Sequence, residues 1–444
     1  MNQKQMAVIL ASYSSASAGV LSLTLALTCA LGSQAAPSNA SNASNATPFA
    51  NAKTPPMATQ PSDAPNAVPD QIIVTVHPGT SDRKLQESLK DLNGTIIDQE
   101  RDGKMFSYLV KVDKSKMAEA MKKAKQDKNF DAVAPNSTAF VQFSKSPNDP
   151  GYATGLQSYL QQMNVPAAWA LGAAGQGIVM GSLDTGVDFS GPELSGRQAF
   201  PGFNVPQKKV GGEETDKSFG HGTFTMGCFG CNTNNDQGFA SPAFQSMIVP
   251  IVITDAQGRA TDWSIGRGLN ILRKKRVKLA NLSFNAKPPY TLSDPVHPFL
   301  HKKIARFAAA GGVIFNAAGN SGTEDGSGVK QNGLVVVSGV DPSLNPSKFS
   351  TYGPAVSFAG PAENIANTGD NNQAFVGATG TSFAAPLAAG VAAQIWSMHP
   401  TLPASTVLQI MAQTAHVPSG GDPLKYGAGI PDAAAAINLA NTSF

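Results

Sequence analysis

From Pro147 to its end, the chain alternates short apolar runs with helical stretches, and this alternation restricts the fold more than any other feature of the sequence. The apolar runs occupy residues 177–183, 247–252, 277–282, 313–317 and 334–337. Continuous apolar runs of this length are typical of strands buried on both faces. We therefore predict a three-layer α/β/α fold with a mainly parallel sheet, whose active site lies outside the carboxyl ends of the strands.

A second pattern of strands and helices occupies residues 70–143. The runs 72–76 and 108–112 are rich in β-branched and apolar residues, as expected of strands. Two amphipathic segments accompany them, one with Ser81 as its candidate N-cap and one starting near Asp113. With a closing strand at 130–133, the order β-α-β-β-α-β predicts a small α+β domain.

The first 69 residues lack the pattern of a folded domain. Residues 1–36 combine an early Lys4, an apolar stretch and a small-residue cleavage sequence, which together predict a secretory signal peptide. Residues 37–69 are rich in Ser, Asn, Ala and Pro and predict a disordered linker. No segment approaches the roughly 20 apolar residues of a transmembrane helix. We therefore predict export, to the periplasm or the medium, without a stable membrane anchor.

Charge and cysteine content restrict the classes of partner and of site that the sequence predicts. From Asp149 onward there are 18 Lys and Arg against 18 Asp and Glu, and the basic run 273–276 is interpreted as a solvated helix face. Nucleic acid is therefore not a predicted partner.

Beyond the signal peptide the cysteines are Cys228 and Cys231, and in an exported protein this pair predicts a small local disulfide. A zinc site would need two more ligands nearby.

Two residues suited to acid–base chemistry stand at predicted turns. Asp184 directly follows the apolar run 177–183 and precedes Thr-Gly, which alone is an ordinary turn signal. His221 stands between Gly220 and Gly222, and flanking glycines allow its ring to face a cleft. The remaining histidines are interpreted as structural.

A serine and an asparagine complete the set. Ser382 lies in Gly-Thr-Ser-Phe-Ala-Ala-Pro at the start of a helix of small residues, where it can cap the helix or lie beside N–H groups that attract an anion. Asn320 follows the run 313–317, where its amide can donate to a developing oxyanion, although Asn-Ser-Gly is also a plain turn. Separate structural roles do not explain why all four occur in the order Asp, His, Asn, Ser.

Asp before His before Ser is the order of the catalytic residues in subtilisin, and the chain from about Pro147 resembles a subtilisin-like serine protease (subtilase, peptidase family S8). Further matches lie at 192–194, 349–353 and 426–429. Residues 70–136 look like the inhibitory propeptide of this family. The resemblance implies a subtilisin-like catalytic domain at 147–444, preceded by a ferredoxin-like propeptide domain at 70–143.

The resemblance also implies the chemistry. Ser382 would attack the scissile carbonyl, His221 would transfer the proton, and Asp184 would orient the imidazole. Asn320 and the Ser382 N–H would bind the oxyanion. The resemblance therefore implies a secreted, monomeric serine endopeptidase that needs no cofactor and acts on proteins or peptides. It would be made as a zymogen, inhibited by its own propeptide, and would cleave itself between residues 143 and 147. Two alternatives stay open: an inactive peptide-binding pseudoenzyme, and a peptide transferase or macrocyclase with the same acyl-enzyme.

The chain departs from the family at the strand edge that pairs with substrate. The family has a Ser-Leu-Gly-Gly type of sequence there, whereas this chain has Ser283, Phe284, Asn285 and Ala286. We predict Ser283, Phe284 and Asn285 as substrate-binding residues, and we expect the added side chains to narrow the approach of a substrate.

Calcium sites are frequent in the family. The candidate loop in this chain, residues 232–236, has one carboxylate, so a structural calcium ion stays open but no set of metal ligands is predicted.

Overall fold

The computed structural model describes residues 67–137, 146–286 and 291–444. The predicted signal peptide, most of the predicted linker and most of the predicted cleavage segment lie outside these ranges.

The first described region is the small α+β unit that the sequence predicts. Its elements are β1 (Ala67–Val76), α1 (Asp82–Asp91), β2 (Thr95–Asp102), β3 (Met105–Lys111), α2 (Met117–Gln126) and β4 (Phe130–Ser137). The sheet has the order β2-β3-β1-β4 and all its pairs are antiparallel. Both helices bury their apolar stripes in one core with alternate strand residues, namely Leu85, Leu89, Ala120 and Met121 against Ile72, Val74 and Val110. The strand β1 begins at Ala67, slightly before the predicted boundary at 70.

The region from residue 146 onward contains the remaining elements. Its strands are β5 (Val179–Asp184), β6 (Phe203–Asn204), β7 (Lys209–Val210), β8 (Met247–Val252), β9 (Leu279–Leu282), β10 (Val313–Ala317), β11 (Leu334–Val340), β12 (Val356–Pro361), β13 (Ile365–Thr368) and β14 (Ala374–Ala378). Its helices are α3 (Pro150–Ala153), α4 (Tyr159–Gln162), α5 (Val165–Ala170), α6 (His221–Gly230), α7 (Asp262–Lys274), α8 (Pro298–Ala309), α9 (Thr381–Met398), α10 (Ala404–Thr414), α11 (Pro423–Tyr426) and α12 (Ala433–Ser443).

The five predicted apolar runs form adjacent strands of one sheet with the order β12-β11-β10-β9-β5-β8-β6-β7. Every pair in it is parallel except β6 with β7 at one edge. The opposite edge strand, β12, was not predicted, because its sequence Val-Ser-Phe-Ala-Gly-Pro mixes apolar residues with turn formers. The antiparallel pair β13–β14 was also missed.

Helices cover both faces of this sheet. Along β10, Val313 and Phe315 belong to the core that includes the apolar residues of α6 and α9. The residue between them, Ile314, belongs to a second core with α7 and α8. Successive side chains of a strand point to opposite faces, so this alternation identifies three layers. The predicted α/β/α fold with a mainly parallel sheet is confirmed.

The parallel sheet brings the candidate residues to one edge. Strands β9 and β10 are neighbours, as are β9 and β5, and all three end at the same side of the molecule. Asp184 is the last residue of β5, Ser283 directly follows β9, and Asn320 follows β10. The adjacent helices α6 and α9 begin with His221 and Thr381, so Ser382 lies in the first turn of α9.

Candidate active site

Asp184 and His221 form a buried pair. The Asp184 carboxylate is inaccessible to solvent, and its Oδ1 lies 2.7 Å from Nδ1 of His221, whose side chain keeps 24% exposure. An ionised carboxylate only accepts hydrogen bonds, so the proton of the ring lies on Nδ1 and leaves Nε2 as an acceptor. The N–H of Thr185 and the hydroxyl of Thr225 also donate to this carboxylate, at 2.7 and 3.3 Å.

The glycines beside His221 have distinct roles. Gly220 has φ +71°, in the left-handed region, and directly precedes α6. A Cβ on Gly222 would collide with the carbonyl oxygen of Gly186, in the loop that follows Asp184. Glycine at this position therefore lets the start of α6 approach the end of β5, which brings the imidazole within hydrogen-bond distance of the carboxylate.

The surroundings of His221 determine its basicity. Burial acts to lower the pKa of the imidazole, but the charge of Asp184 and the hydrogen bond to it act in the opposite direction and raise the pKa above its usual value. Glu214 and Asp216 add to this effect through their charge. The ring is therefore a stronger base than a free histidine, as general-base catalysis requires.

Two acidic residues that were not predicted from the sequence hold this pair in place. Asp216 Oδ2 accepts the backbone N–H of His221 at 3.2 Å. The buried Glu214 accepts both the N–H and the hydroxyl of Thr223, at 2.8 and 2.7 Å. Carboxylates at the start of a helix are stabilised by its dipole. The available signal was the acidic run Glu213-Glu214-Thr215-Asp216 a few residues before His221.

Ser382 is in the first turn of α9 but does not cap it, because the N-cap residue is Gly380. N–H groups of a first turn lack a partner inside the helix, so that of Ser382 is available to an anion. The Ser382 hydroxyl donates to the carbonyl oxygen of Ser283 at 3.3 Å, and the Ser283 hydroxyl donates to the Ser382 carbonyl oxygen at 2.6 Å. These bonds join the start of α9 to the end of β9.

Asn320 is held with its amide nitrogen toward the cleft. Its Oδ1 accepts the N–H and the hydroxyl of Thr381, at 3.0 and 2.8 Å. The Nδ2 group lies 3.5 Å from the position of a Cβ on Gly380 and donates to no protein group in the described ranges. Thr381 thus orients the amide beside Ser382. This role of Thr381 was not predicted, although its position directly before that serine in the sequence motif is a signal for it.

The predicted substrate-binding residues lie between two clefts. A cleft of about 580 Å³ contains His221, and a second of about 320 Å³ contains Ser382 and Asn320. Ser283 and Phe284 line both, and the Phe284 ring lies edge-on to the His221 ring with centroids 5.5 Å apart. Asn285 lines only the second. The structure therefore brings all seven predicted catalytic and substrate-binding residues to one region.

The predicted disulfide between Cys228 and Cys231 is not present, because both residues are free thiols. Cys228 lies in the last turns of α6 and Cys231 is its C-cap residue. Both are buried, and the Cys231 thiol donates to Oδ1 of Asn367 at 3.1 Å instead. The sequence spacing suited a short loop, whereas the helix continues almost to the second cysteine.

The loop proposed for calcium is organised by hydrogen bonds. Asp149, which is fully buried, accepts the backbone N–H of Asn234 at 2.7 Å and that of Asn235 at 3.4 Å. Carboxylate oxygens that already accept N–H groups do not form the oxygen cage that calcium prefers. Within the described ranges, no group of three or more His, Cys, Asp or Glu side chains is placed to hold a metal ion. A structural calcium at this loop therefore stays a prediction without an assigned set of ligands.

Comparisons with known proteins agree with this geometry. The model of the Subtilase family matches residues 175–429, and that of the fervidolysin N-terminal prodomain matches residues 53–136. Thermitase from Thermoactinomyces vulgaris is 30% identical over 62% of this chain and 93% of its own length. Subtilisin DY from Bacillus licheniformis is 29% identical over 60% of this chain and 93% of its own. A solved protease structure from Pseudoalteromonas arctica PAMC 21717 covers 67% of this chain and 100% of its own with a TM-score of 0.59; at 24% identity this likeness concerns the fold.

Proposed function

This chain belongs to the subtilase family, and we propose that Asp184, His221 and Ser382 are its catalytic triad. The protein is a subtilisin-like serine endopeptidase with an N-terminal prodomain. The observation that carries the proposal is the 2.7 Å bond from the buried Asp184 to His221, at the strand ends where Ser382 also lies. This bond fixes the tautomer that a serine nucleophile needs.

The proposed reaction passes through an acyl-enzyme. Nε2 of His221 takes the hydroxyl proton of Ser382 as Oγ attacks the scissile carbonyl carbon. The negative oxygen of the tetrahedral intermediate accepts hydrogen bonds from Asn320 Nδ2 and the Ser382 N–H. His221 then gives its proton to the leaving amine as the peptide C–N bond breaks. In the second half of the reaction water attacks the acyl-enzyme, with His221 again as the base, and the acid product leaves Ser382. The hydroxyl first turns from the Ser283 carbonyl toward His221, and such looseness is common before substrate binds.

We further propose that the prodomain is an intramolecular inhibitor and that the enzyme removes it itself. The prodomain has its own apolar core, which supports independent folding of this unit. The predicted cleavage segment between residues 143 and 147 joins it to the catalytic region, so a tail entering the cleft would present a peptide bond to Ser382.

Secretion is the third part of the proposal. It depends on the predicted signal peptide at 1–36, which lies outside the described residues. In the part of the chain that the structure describes, no helix combines the length and apolar character needed to cross a membrane. We propose a monomer that is exported and acts on proteins or peptides. Its chemistry uses only side chains and backbone groups, so we propose that it requires no cofactor.

Substitution of the nucleophile tests self-processing. Ser382→Ala in a protease-free preparation should accumulate as the full precursor, because no group remains to attack the cleavage segment. Ser190→Ala, which removes an exposed hydroxyl, should mature like the wild type. Mass spectrometry of both secreted products measures this, and normal maturation of Ser382→Ala would contradict the proposal.

Labelling with a serine-directed phosphonate tests the triad in the matured wild type. We expect one label, on Ser382, and loss of hydrolysis of a casein-like protein in proportion to labelling. Absence of both label and hydrolysis would instead favour a peptide-binding protein. If an added amine, rather than water, resolves most of the acyl-enzyme, the transferase alternative replaces hydrolysis.

A further inference from the structure

The side chain of Asn285 crosses the cleft beside Ser382. Its backbone lies on the wall formed by the segment after β9, and its Nδ2 donates to the carbonyl oxygens of Ala317 and Ala318 at the end of β10, at 3.0 and 2.6 Å. A Cβ on Gly319 would lie 3.2 Å from the same nitrogen, so the amide is packed against the opposite wall. The side chain therefore joins the two walls of the cleft.

This bridge is fixed in place. The Oδ1 atom of Asn285 accepts the N–H groups of Ala286 and Leu292, at 2.9 and 2.7 Å. An amide has two donor hydrogens and two acceptor lone pairs, and all four are used here. The group therefore has no capacity left to bind a polar substrate atom, and moving it aside would break several bonds at once. It can act on a substrate only as a rigid wall.

The bridged cleft is where one particular substrate side chain must lie. The cleft of about 320 Å³ contains both the nucleophile Ser382 and the oxyanion donor Asn320. The carbonyl under attack lies between these two groups, and the residue that owns this carbonyl carries its side chain on the adjacent carbon. That side chain, on the acyl side of the scissile bond, therefore enters the cleft that Asn285 crosses.

Space continues behind the bridge. A void of about 10 Å³ lies beyond it, and Thr291, Ala318 and Thr351 line both this void and the cleft. Val336 and Val356 line the void only. Ser293 and Asp325 also line the void. With glycine at 285, the bridging amide would be gone, and a deeper pocket would extend toward the valines and these polar side chains.

We propose that Asn285 restricts the enzyme to substrates with a small side chain, such as glycine, alanine or serine, at the residue whose carbonyl Ser382 attacks. This inference rests on the proposed function of Ser382 and Asn320. Larger side chains meet the bridge, which neither moves nor offers hydrogen bonds to them. Asn285 is thus a specificity-determining residue.

Two peptides that differ only at this residue, alanine against phenylalanine, test the proposal. The wild type should prefer alanine by about 10-fold or more in kcat/KM, the scale at which pocket size discriminates. Asn285→Gly should reduce or reverse this preference by at least about 10-fold, mainly by gaining activity on phenylalanine. Asn364→Gly is the matched control: it is exposed, has φ +58° that glycine tolerates, lies outside both clefts and should keep the wild-type ratio.

Phosphonate titration of each variant separates the two proposals. A preparation that takes no label contradicts the proposed function itself. A labelled wild type that cleaves both peptides equally, or a labelled Asn285→Gly with an unchanged ratio, overturns only the role of Asn285. Should Asn285→Gly fail to fold, mapping of wild-type cleavage sites in a denatured protein decides: small residues before the cut bonds support the inference, and frequent phenylalanine or leucine overturns it.

Discussion

Helix α6 begins with His221 beside three acidic residues, and it ends at Gly230, directly before Cys231, which lies near the buried carboxylate of Glu193. The first end holds charge. Asp184 receives hydrogen bonds from three neighbours, and Glu214 and Asp216 accept N–H groups of this end of the helix. The positive end of the helix dipole also favours negative charge here.

At the second end of α6, the surroundings favour the neutral forms of the ionisable groups. Glu193 Oε2 accepts the N–H of Phe239 at 2.9 Å, whereas its Oε1 and the Nδ2 of Asn367 have no partner among the described residues. Burial, together with the charge of Asp149, raises the pKa of Glu193 to about 7, although the Phe239 N–H opposes this shift. Burial also raises the pKa of both cysteine thiols.

Burial alone therefore does not decide whether a carboxylate of this protein is charged. Asp184 and Glu193 are both nearly inaccessible to solvent, but only Asp184 accepts hydrogen bonds from several donors, among them the imidazole of His221. The difference teaches that hydrogen-bond donors decide where charge is stabilised along α6: they lower the pKa of Asp216 at the catalytic end, whereas burial raises the pKa of Glu214 there and of Glu193 at the structural end.

Among the substitutions that test this contrast between the two ends of α6, Asp184→Asn should have the largest effect. The amide cannot hold the Nδ1 proton of His221 as a carboxylate does, so the ring loses its required tautomer. We expect kcat to fall by about 10⁴-fold. Steady-state kinetics on a peptide substrate measure the fall, with Asp188→Asn, whose carboxylate accepts the N–H groups of Ser190 and Asn371, as the control. A loss below tenfold would remove Asp184 from the proposed triad.

The pH profile of the same variant provides an independent measurement. In the wild type, activity should fall with decreasing pH as His221 becomes protonated, at a pKa above that of a free histidine. Removal of the Asp184 charge lowers the pKa of the ring, so the acid limb of the residual kcat/KM should move to lower pH. An unchanged limb would show that another group controls it.

Glu193→Gln should change stability rather than catalysis. Because the folded pKa, about 7, exceeds the ordinary value of 4.5, the folded state binds this proton more tightly than the unfolded state. This contribution to the free energy of unfolding is complete below pH 4.5 and disappears as pH rises to 7. Relative to the wild type, the variant should therefore gain about 3 kcal/mol between pH 4.5 and 8.

Unfolding of phosphonate-inhibited enzyme at several pH values, with a chelator present, measures this gain. Glu324→Gln serves as the control, because Glu324 is exposed and its neutralisation should produce no comparable dependence on pH. Parallel pH curves for the wild type and Glu193→Gln would mean that Glu193 remains charged in the folded protein.

The two ends of α6 also differ in how far the sequence predicts them. His221, with its flanking glycines, could be recognised because the residues that matter are contiguous and Asp184 lies at a strand end. Glu193 contacts the loop after α6 from a distant part of the chain, and no local pattern signals its burial. The bridge from Asn285 to Ala317 and Ala318 likewise depends on the neighbouring ends of β9 and β10. Parallel pairing predicts that these ends meet, but not which side chain crosses the gap.

The cysteines are the case where local reasoning was wrong, and they give the smallest expected effect. Because both thiols are buried and their pKa values are raised, neither forms a thiolate at neutral pH, and the nucleophilic form of cysteine is absent. Dithiothreitol should therefore leave the melting temperature of the inhibited mature enzyme unchanged. A thiol reagent should label Cys228 and Cys231 only after denaturation. A reductant-dependent loss of stability, or a disulfide in the unreduced mass spectrum, would mean that the structural end of α6 is held by a covalent bond instead of by buried neutral groups.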